Sequence, residues 1–174
     1  MRIGIVTAVW KRPEVFEMFA KGVLHLNNNT EHEYFVIVAG SEGYKTKNMV
    51  EKYGFNYIEI PNNPLATKHN ATTIEAKEYD PDYILFLGSD DVIGVELMNL
   101  YTKFMKRSID FIGLKDLYFY DIETDYSSYW GGYVDSRFGC SAGAGRLISK
   151  RLMNLWEWSV FEIKDNNGFY FRSY

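Results

Sequence analysis

Cysteine is almost absent: Cys140 is the only one in 174 residues. No internal disulfide can staple the chain, and a reducing, cytoplasmic setting is expected. With no histidine near it in the sequence to activate it, Cys140 reads as a small buried side chain rather than a nucleophile. No apolar run reaches the ~18 residues of a membrane span. The opening MRIGIVTAVWKRP breaks at Lys11-Arg12-Pro13, which fits a strand and not a signal peptide. Nor does either sign of charge dominate. With 19 basic and 23 acidic residues, the net charge of −4 leaves no electrostatic footprint for nucleic acid or an anionic membrane. The fingerprints G-x-G-x-x-G, G-x-x-x-x-G-K-[ST] and H-E-x-x-H are all missing. His25, His32 and His69 lack metal-ligand spacing, and the first two read as surface or helix-end residues. Internal repeats, low-complexity segments and linkers are also absent, so one domain over 1–174 is expected.

What is present is an ordinary globular composition with a strand–helix alternation. The stretches from Ile3 to Val9, Tyr34 to Ala39, Phe55 to Ile60 and Tyr83 to Leu87 are short, mostly apolar and β-rich, as strands buried on both faces are. Between them lie predicted helices from Pro13 to about Leu26, from Tyr44 to Tyr53, and from Leu65 to Tyr79. Another follows Gly94, with Val95, Met98, Tyr101, Phe104 and Met105 on one face. This order implies right-handed crossovers and a mostly parallel sheet covered by helices. The last third changes character. Strands are predicted over Ile109–Leu114 and Leu117–Tyr120, a loop or hairpin over Asp121–Tyr129, and a weaker strand over Trp130–Arg137. A glycine-rich run follows from Gly139 to Gly145, and then a helix capped by Ser149 that reaches about Trp158.

The chemistry concentrates at YILFLGSDDVI, Tyr83 to Ile93. Two adjacent carboxylates at the carboxyl end of a buried strand repel each other, and a hard cation such as Mg²⁺ or Mn²⁺ relieves the repulsion. Open α/β sheets bind ligands at that end. A polar turn with an Asp capping the next helix accounts for the same residues. In a doubly wound sheet the residues collected there are Thr7 to Arg12, Gly40 to Glu42, Asn62-Asn63 and Ser89 to Asp91. Tyr129, Trp130, Tyr133, Trp156 and Trp158 are candidates for an aromatic acceptor platform.

The order of these features resembles the family-2 glycosyltransferases with the GT-A fold. IVTAVWKRPE, VIVAGSEG, PLATKHNATTIEA, YILFLGSDDVI and GAGRLISKRLM are similar, in that order, to the family's opening strand, its second strand and turn, its Lys/Arg-x-Asn helix, its metal motif and its glycine-rich acceptor segment. The resemblance implies a GT-A-like α/β fold with a nucleotide-sugar-binding half over about 1–110 and an acceptor-side half over about 111–174. It implies divalent-metal-dependent, inverting transfer of a sugar from a nucleotide sugar, UDP-linked, to a hydroxyl acceptor. By the same resemblance Asp91 holds the metal, Asp90 bonds the ribose, Thr7 lies beside the base, and Lys68 approaches the base or diphosphate. Arg12 and Ser89 belong to the same donor-binding set. A carboxylate must take the acceptor's proton, and Asp165 is the candidate ahead of Glu162, Glu157 and Asp135. Two departures stand out: Gly88 replaces the first Asp of Asp-x-Asp, and Val38-Ala39 replaces the family's Asp-Asp. Gly88 keeps open a non-catalytic nucleotide- or glycan-binding module, and Val38-Ala39 leaves the choice of nucleotide open; a nucleotidyltransferase-like enzyme using the same metal–diphosphate logic is the other alternative.

Overall fold

The computed structural model describes residues 1–62, 64–163 and 169–171. Six strands form the main sheet in the order β3-β2-β1-β4-β8-β5. These are β1 (Arg2–Ala8), β2 (Glu33–Gly40), β3 (Asn56–Glu59), β4 (Tyr83–Phe86), β5 (Phe111–Ile112) and β8 (Arg146–Ser149). β1, β2, β3 and β4 run parallel, so their carboxyl ends share one edge. β8 lies antiparallel between β4 and β5. The expected mixed α/β sheet, mostly parallel, is therefore found. It draws strands from both ends of the chain.

The two faces of the sheet are buried by different means. One carries Ile3, Ile5, Val36, Val38 and Leu85 against helices α1 (Pro13–Asn29) and α4 (Val95–Met105). Phe16, Phe19, Val23 and Leu26 recur at helical spacing on α1, and Met98, Tyr101 and Met105 on α4. α2 (Tyr44–Glu51) flanks β3. The other face carries Val6, Ile37, Ile84, Phe86 and Ile148. It is covered by α3 (Leu65–Lys77), α5 (Lys150–Leu155) and the turn holding Trp156 and Trp158. α3 lies on β1 and β2 through small or hydroxyl side chains, Ala66, Thr72, Thr73 and Ala76, which permit close approach. Outside the main sheet, β6 (Leu117–Asp121) and β7 (Tyr126–Trp130) form a hairpin, and β9 (Phe161–Ile163) pairs with β10 (Phe169–Phe171).

Several expectations are corrected. Arg146–Ser149 is a strand. Read in sequence its apolar residues merge with the α5 pattern, because Ile148 and Leu152 stand four apart. Ser149 does cap α5, accepting from the Leu152 N–H at 3.1 Å, but the helix ends at Leu155. Glu157 and Trp158 both have positive φ, which breaks it. The strand expected over Trp130–Arg137 stops at Trp130, and Asp135 closes a turn by accepting the Arg137 backbone N–H at 2.9 Å. Cys140 is exposed, not buried. His32 is buried, not at the surface, and shares a 2.7 Å hydrogen bond with Thr102.

Candidate functional site

The parallel register brings the exits of β1, β2, β3 and β4 together, and buried polar side chains tie them. Lys68, only 1% exposed, rises from α3 into this edge. Its ammonium donates to the Val9 carbonyl at 3.3 Å, the Ser41 hydroxyl at 2.9 Å and Asn62 Oδ1 at 2.8 Å. An ammonium has three N–H donors, and each has a partner among strand exits. Burial lowers the Lys68 pKa, and the charges of Glu42 and Glu59 oppose that. Thr7 is fully buried on β1, and its hydroxyl has no hydrogen-bond partner among the described residues.

After β1 the chain turns through two successive left-handed residues, Lys11 (φ 58°) and Arg12 (φ 54°). Such conformations cost free energy in non-glycine residues and collect at functional sites. The Lys11 N–H is held by Glu42 at 2.7 Å. Arg12 precedes Pro13 at the start of α1 and donates to Asp90 Oδ2 at 2.9 Å. Both partners of that pair are half-exposed, so it adds little stability. It does join the exits of β1 and β4.

Beyond β4, the Gly88 N–H donates to Asp91 Oδ2 at 2.6 Å. Asp91 therefore closes its own turn, and α4 starts at Val95 behind Gly94, with no side-chain cap. Both carboxylates fold over Gly88. A Cβ there would stand 2.7 Å from Asp90 Oδ1 and 2.8 Å from Asp91 Oδ2. A side chain at 88 would therefore have to move both carboxylates aside. Ser89 is buried beneath. Burial pushes the Asp91 carboxyl pKa up, and Asp90 adds to this against the Gly88 N–H.

Among the described residues no group of three or more His, Cys, Asp or Glu side chains could cage a metal. A Mg²⁺-like ion needs less, since it commonly binds one or two carboxylates together with substrate phosphates. Asp91, with Asp90 beside it, fits a cation shared with a diphosphate.

Two cavities meet at this point. One of about 280 Å³ lies on the α3 side and is lined by His69, Phe86, Gly88, Asp91, Arg146 and Phe161, among others. One of about 920 Å³ lies under the β6–β7 hairpin and includes Arg12, Asp90, Asp91, Trp130 and Tyr133. Leu87, Asp91, Gly143 and Ala144 border both. The glycine run arrives here because β8 is antiparallel: Arg146 pairs with Phe86, and the Gly145 N–H donates to the Phe86 carbonyl at 2.9 Å.

His69 is the residue that sequence reasoning passed over. Its ring packs 5.4 Å from Phe161 and 6.2 Å from Phe86. Burial, with the charge of Lys68, lowers its pKa to about 4, so the imidazole is neutral near pH 7. The available signal was helical spacing. Leu65 and His69, one turn apart, both line the smaller cavity, whereas Lys68 turns into the strand exits. Arg146 is held by Ser141, through Nε to Oγ at 3.2 Å and Nη2 to the carbonyl at 3.1 Å.

Of the predicted site residues, the structure brings together Thr7, Arg12, Lys68, Ser89, Asp90 and Asp91 at one sheet edge. Asp165 lies outside the described residues. Trp130 and Tyr133 line the larger cavity, whereas Trp156 and Trp158 are core. Tyr129 is exposed and bonded to Asp116.

No protein-family model matches the chain, and no curated protein does. Solved structures are similar in fold. TarS from S. aureus, residues 1–349, superposes with a TM-score of 0.60 at 16% identity, covering 96% of this chain and 52% of that one. The mannosyltransferase PcManGT from Pyrobaculum calidifontis, in complex with GDP-Man and Mn²⁺, gives 0.60 at 7% identity, covering 89% and 46%. A CMP:2-keto-3-deoxy-manno-octonic acid synthetase complexed with CTP gives 0.56 at 11%, covering 90% and 78%. The chain thus spans about half the length of the two glycosyltransferase structures. At these identities the likeness is one of fold: the chain has a GT-A-like α/β fold, shared with nucleotidyltransferases.

Proposed function

We propose that this chain is a single GT-A-like domain that transfers a sugar from a nucleoside diphosphate donor, UDP-linked, to a hydroxyl acceptor, in a cytoplasmic setting. The observation that carries the reading is Asp91. It is a carboxylate made costly by burial, beside a second carboxylate, at the carboxyl end of a parallel strand and at the junction of two cavities. A bound Mg²⁺ or Mn²⁺ would neutralise charge growing on the leaving diphosphate. Asp91 would hold it. Asp90, released from Arg12, would accept from a ribose hydroxyl, and Arg12 would then face the diphosphate. Ser89 and the partnerless Thr7 hydroxyl belong to the same donor-binding set. Lys68 supports them by locking three strand exits in place. The acceptor oxygen would bond to the anomeric carbon as the bond to phosphate breaks, with inversion. Its proton would pass to a carboxylate, for which Asp165 remains the candidate.

A nucleotidyltransferase is the second reading, favoured by the synthetase likeness at a similar TM-score. Calorimetric titration separates the two. UDP, GDP, their sugar conjugates and CTP are each titrated with Mn²⁺ and then with EDTA, on wild type and Asp91→Ala. Nucleotide-sugar binding that falls at least tenfold with EDTA and with Asp91→Ala is the expected result. Preference for CTP would replace it with the second reading. Binding indifferent to metal and to Asp91 would leave only a non-catalytic module.

A further inference from the structure

The larger cavity has a chemical polarity that the donor reading does not use. Its volume of about 920 Å³ is at the upper end of the range for small-molecule sites. Its charged lining residues are Arg12, Asp90 and Asp91, all from the exits of β1 and β4. Away from that end the wall is aliphatic and aromatic, with Val92, Leu114, Leu117, Phe119, Ile122 and Trp130. Among the described residues, no Asn, Gln, Ser, Thr, Lys or His lines it. A free oligosaccharide presents hydroxyls on all sides and needs such partners along its length. The tyrosine hydroxyls are few, and that of Tyr120 is already bonded to Asp125 at 2.7 Å. The hairpin that roofs the cavity pairs with no strand of the main sheet. It leaves the large apolar side chains of Phe119 and Ile122 59% and 56% exposed while both line the cavity.

We infer that this cavity is the acceptor site and that it takes an amphiphilic alcohol, with its hydroxyl end at Asp91 and its alkyl or aryl body under the β6–β7 hairpin. The acceptor role rests on the transferase reading, but the apolar selectivity does not.

Methyl, hexyl and octyl β-glucosides, below their micellar concentrations, are titrated by tryptophan fluorescence, with glucose and maltose as controls. Ile122→Ser and Phe119→Ser serve as variants, because both side chains are largely exposed and folding, checked by circular dichroism, should survive. Wild type should bind more tightly as the chain lengthens, by up to about three- to fourfold per methylene, and either variant should flatten that dependence. Glucose or maltose binding as tightly as octyl glucoside would overturn the inference. So would a dimer in sedimentation velocity that Ile122→Ser dissociates while no glucoside binds, since a second copy would then cover the hairpin. A parallel UDP and GDP titration with Mn²⁺ separates the two failures. Nucleotide binding without chain-length dependence sinks this inference alone. Chain-length dependence without nucleotide binding removes the acceptor role and the transferase reading together.

Discussion

Neighbouring residues on one helix turn carry opposite electrostatic fates. Lys68 keeps a buried ammonium because three oxygens surround it, whereas His69 sits among Phe86 and Phe161 and sheds its proton. The consequence for His69 is a stability that depends on pH. Its pKa of about 4 in the folded chain lies below the ordinary value near 6.5. Above pH 6.5 the ring is neutral folded or unfolded, and its environment contributes in full. Between pH 6.5 and about 4 only the unfolded chain takes up the proton, so stability falls as pH falls, by about 3 kcal/mol in total. His69→Gln should flatten that slope, read as urea midpoints at pH 7, 5.5 and 4.5; an unchanged slope would refute the assignment. At Gly88, adding only a methyl displaces the Asp90 and Asp91 carboxylates. Gly88→Ala should therefore keep its melting temperature within a few degrees yet lose metal-dependent nucleotide binding at least tenfold in the same calorimetric assay.

At the scale of elements, Asn70 on α3 holds the backbone of β9. Asn70 donates to the Phe161 carbonyl at 2.8 Å and accepts from the Phe161 N–H at 2.9 Å. Thr73 adds a bond to the Trp158 carbonyl at 2.6 Å. In the Lys/Arg-x-Asn pattern Lys68 thus ties the strand exits and Asn70 ties β9. Asn70→Ala removes both of the Phe161 bonds from a partly buried segment. The expected loss is about 2 kcal/mol, with amide exchange accelerating first in 158–163. Uniform acceleration across the sheet instead would mean that Asn70 does not act locally.

For the molecule as a whole, everything hangs on β1, which pairs with β2 and β4 and is covered on both faces. Gly4 lies at its centre. A Cβ there would come within 2.6 Å of the Phe35 ring and 2.9 Å of Ile84 Cδ1. Overpacking of this kind typically costs 1–3 kcal/mol. Gly4→Ala should lower the urea midpoint accordingly and leave the number of unfolding transitions at one. A second transition would show that the strands from the last third unfold apart from the rest.

The first half of the fold was legible because its signals are local. Buried parallel strands announce themselves as apolar runs, α1 and α4 by helical spacing, and the turn after Phe86 by Gly-Ser-Asp-Asp. Pattern order alone therefore placed Thr7, Arg12 and Asp90-Asp91 at one edge. What only the tertiary structure decided depends on partners distant in the chain. β8 is four residues long and becomes a strand because β4 and β5 leave a slot between them. That antiparallel insertion carries Gly143, Gly145 and Arg146 to the Asp91 turn. Helical spacing puts His69 and Lys68 on different sides of α3, but not which side meets the sheet and which a cavity. The direction each faces is set by how α3 packs on β1 and β2, and no local propensity encodes that.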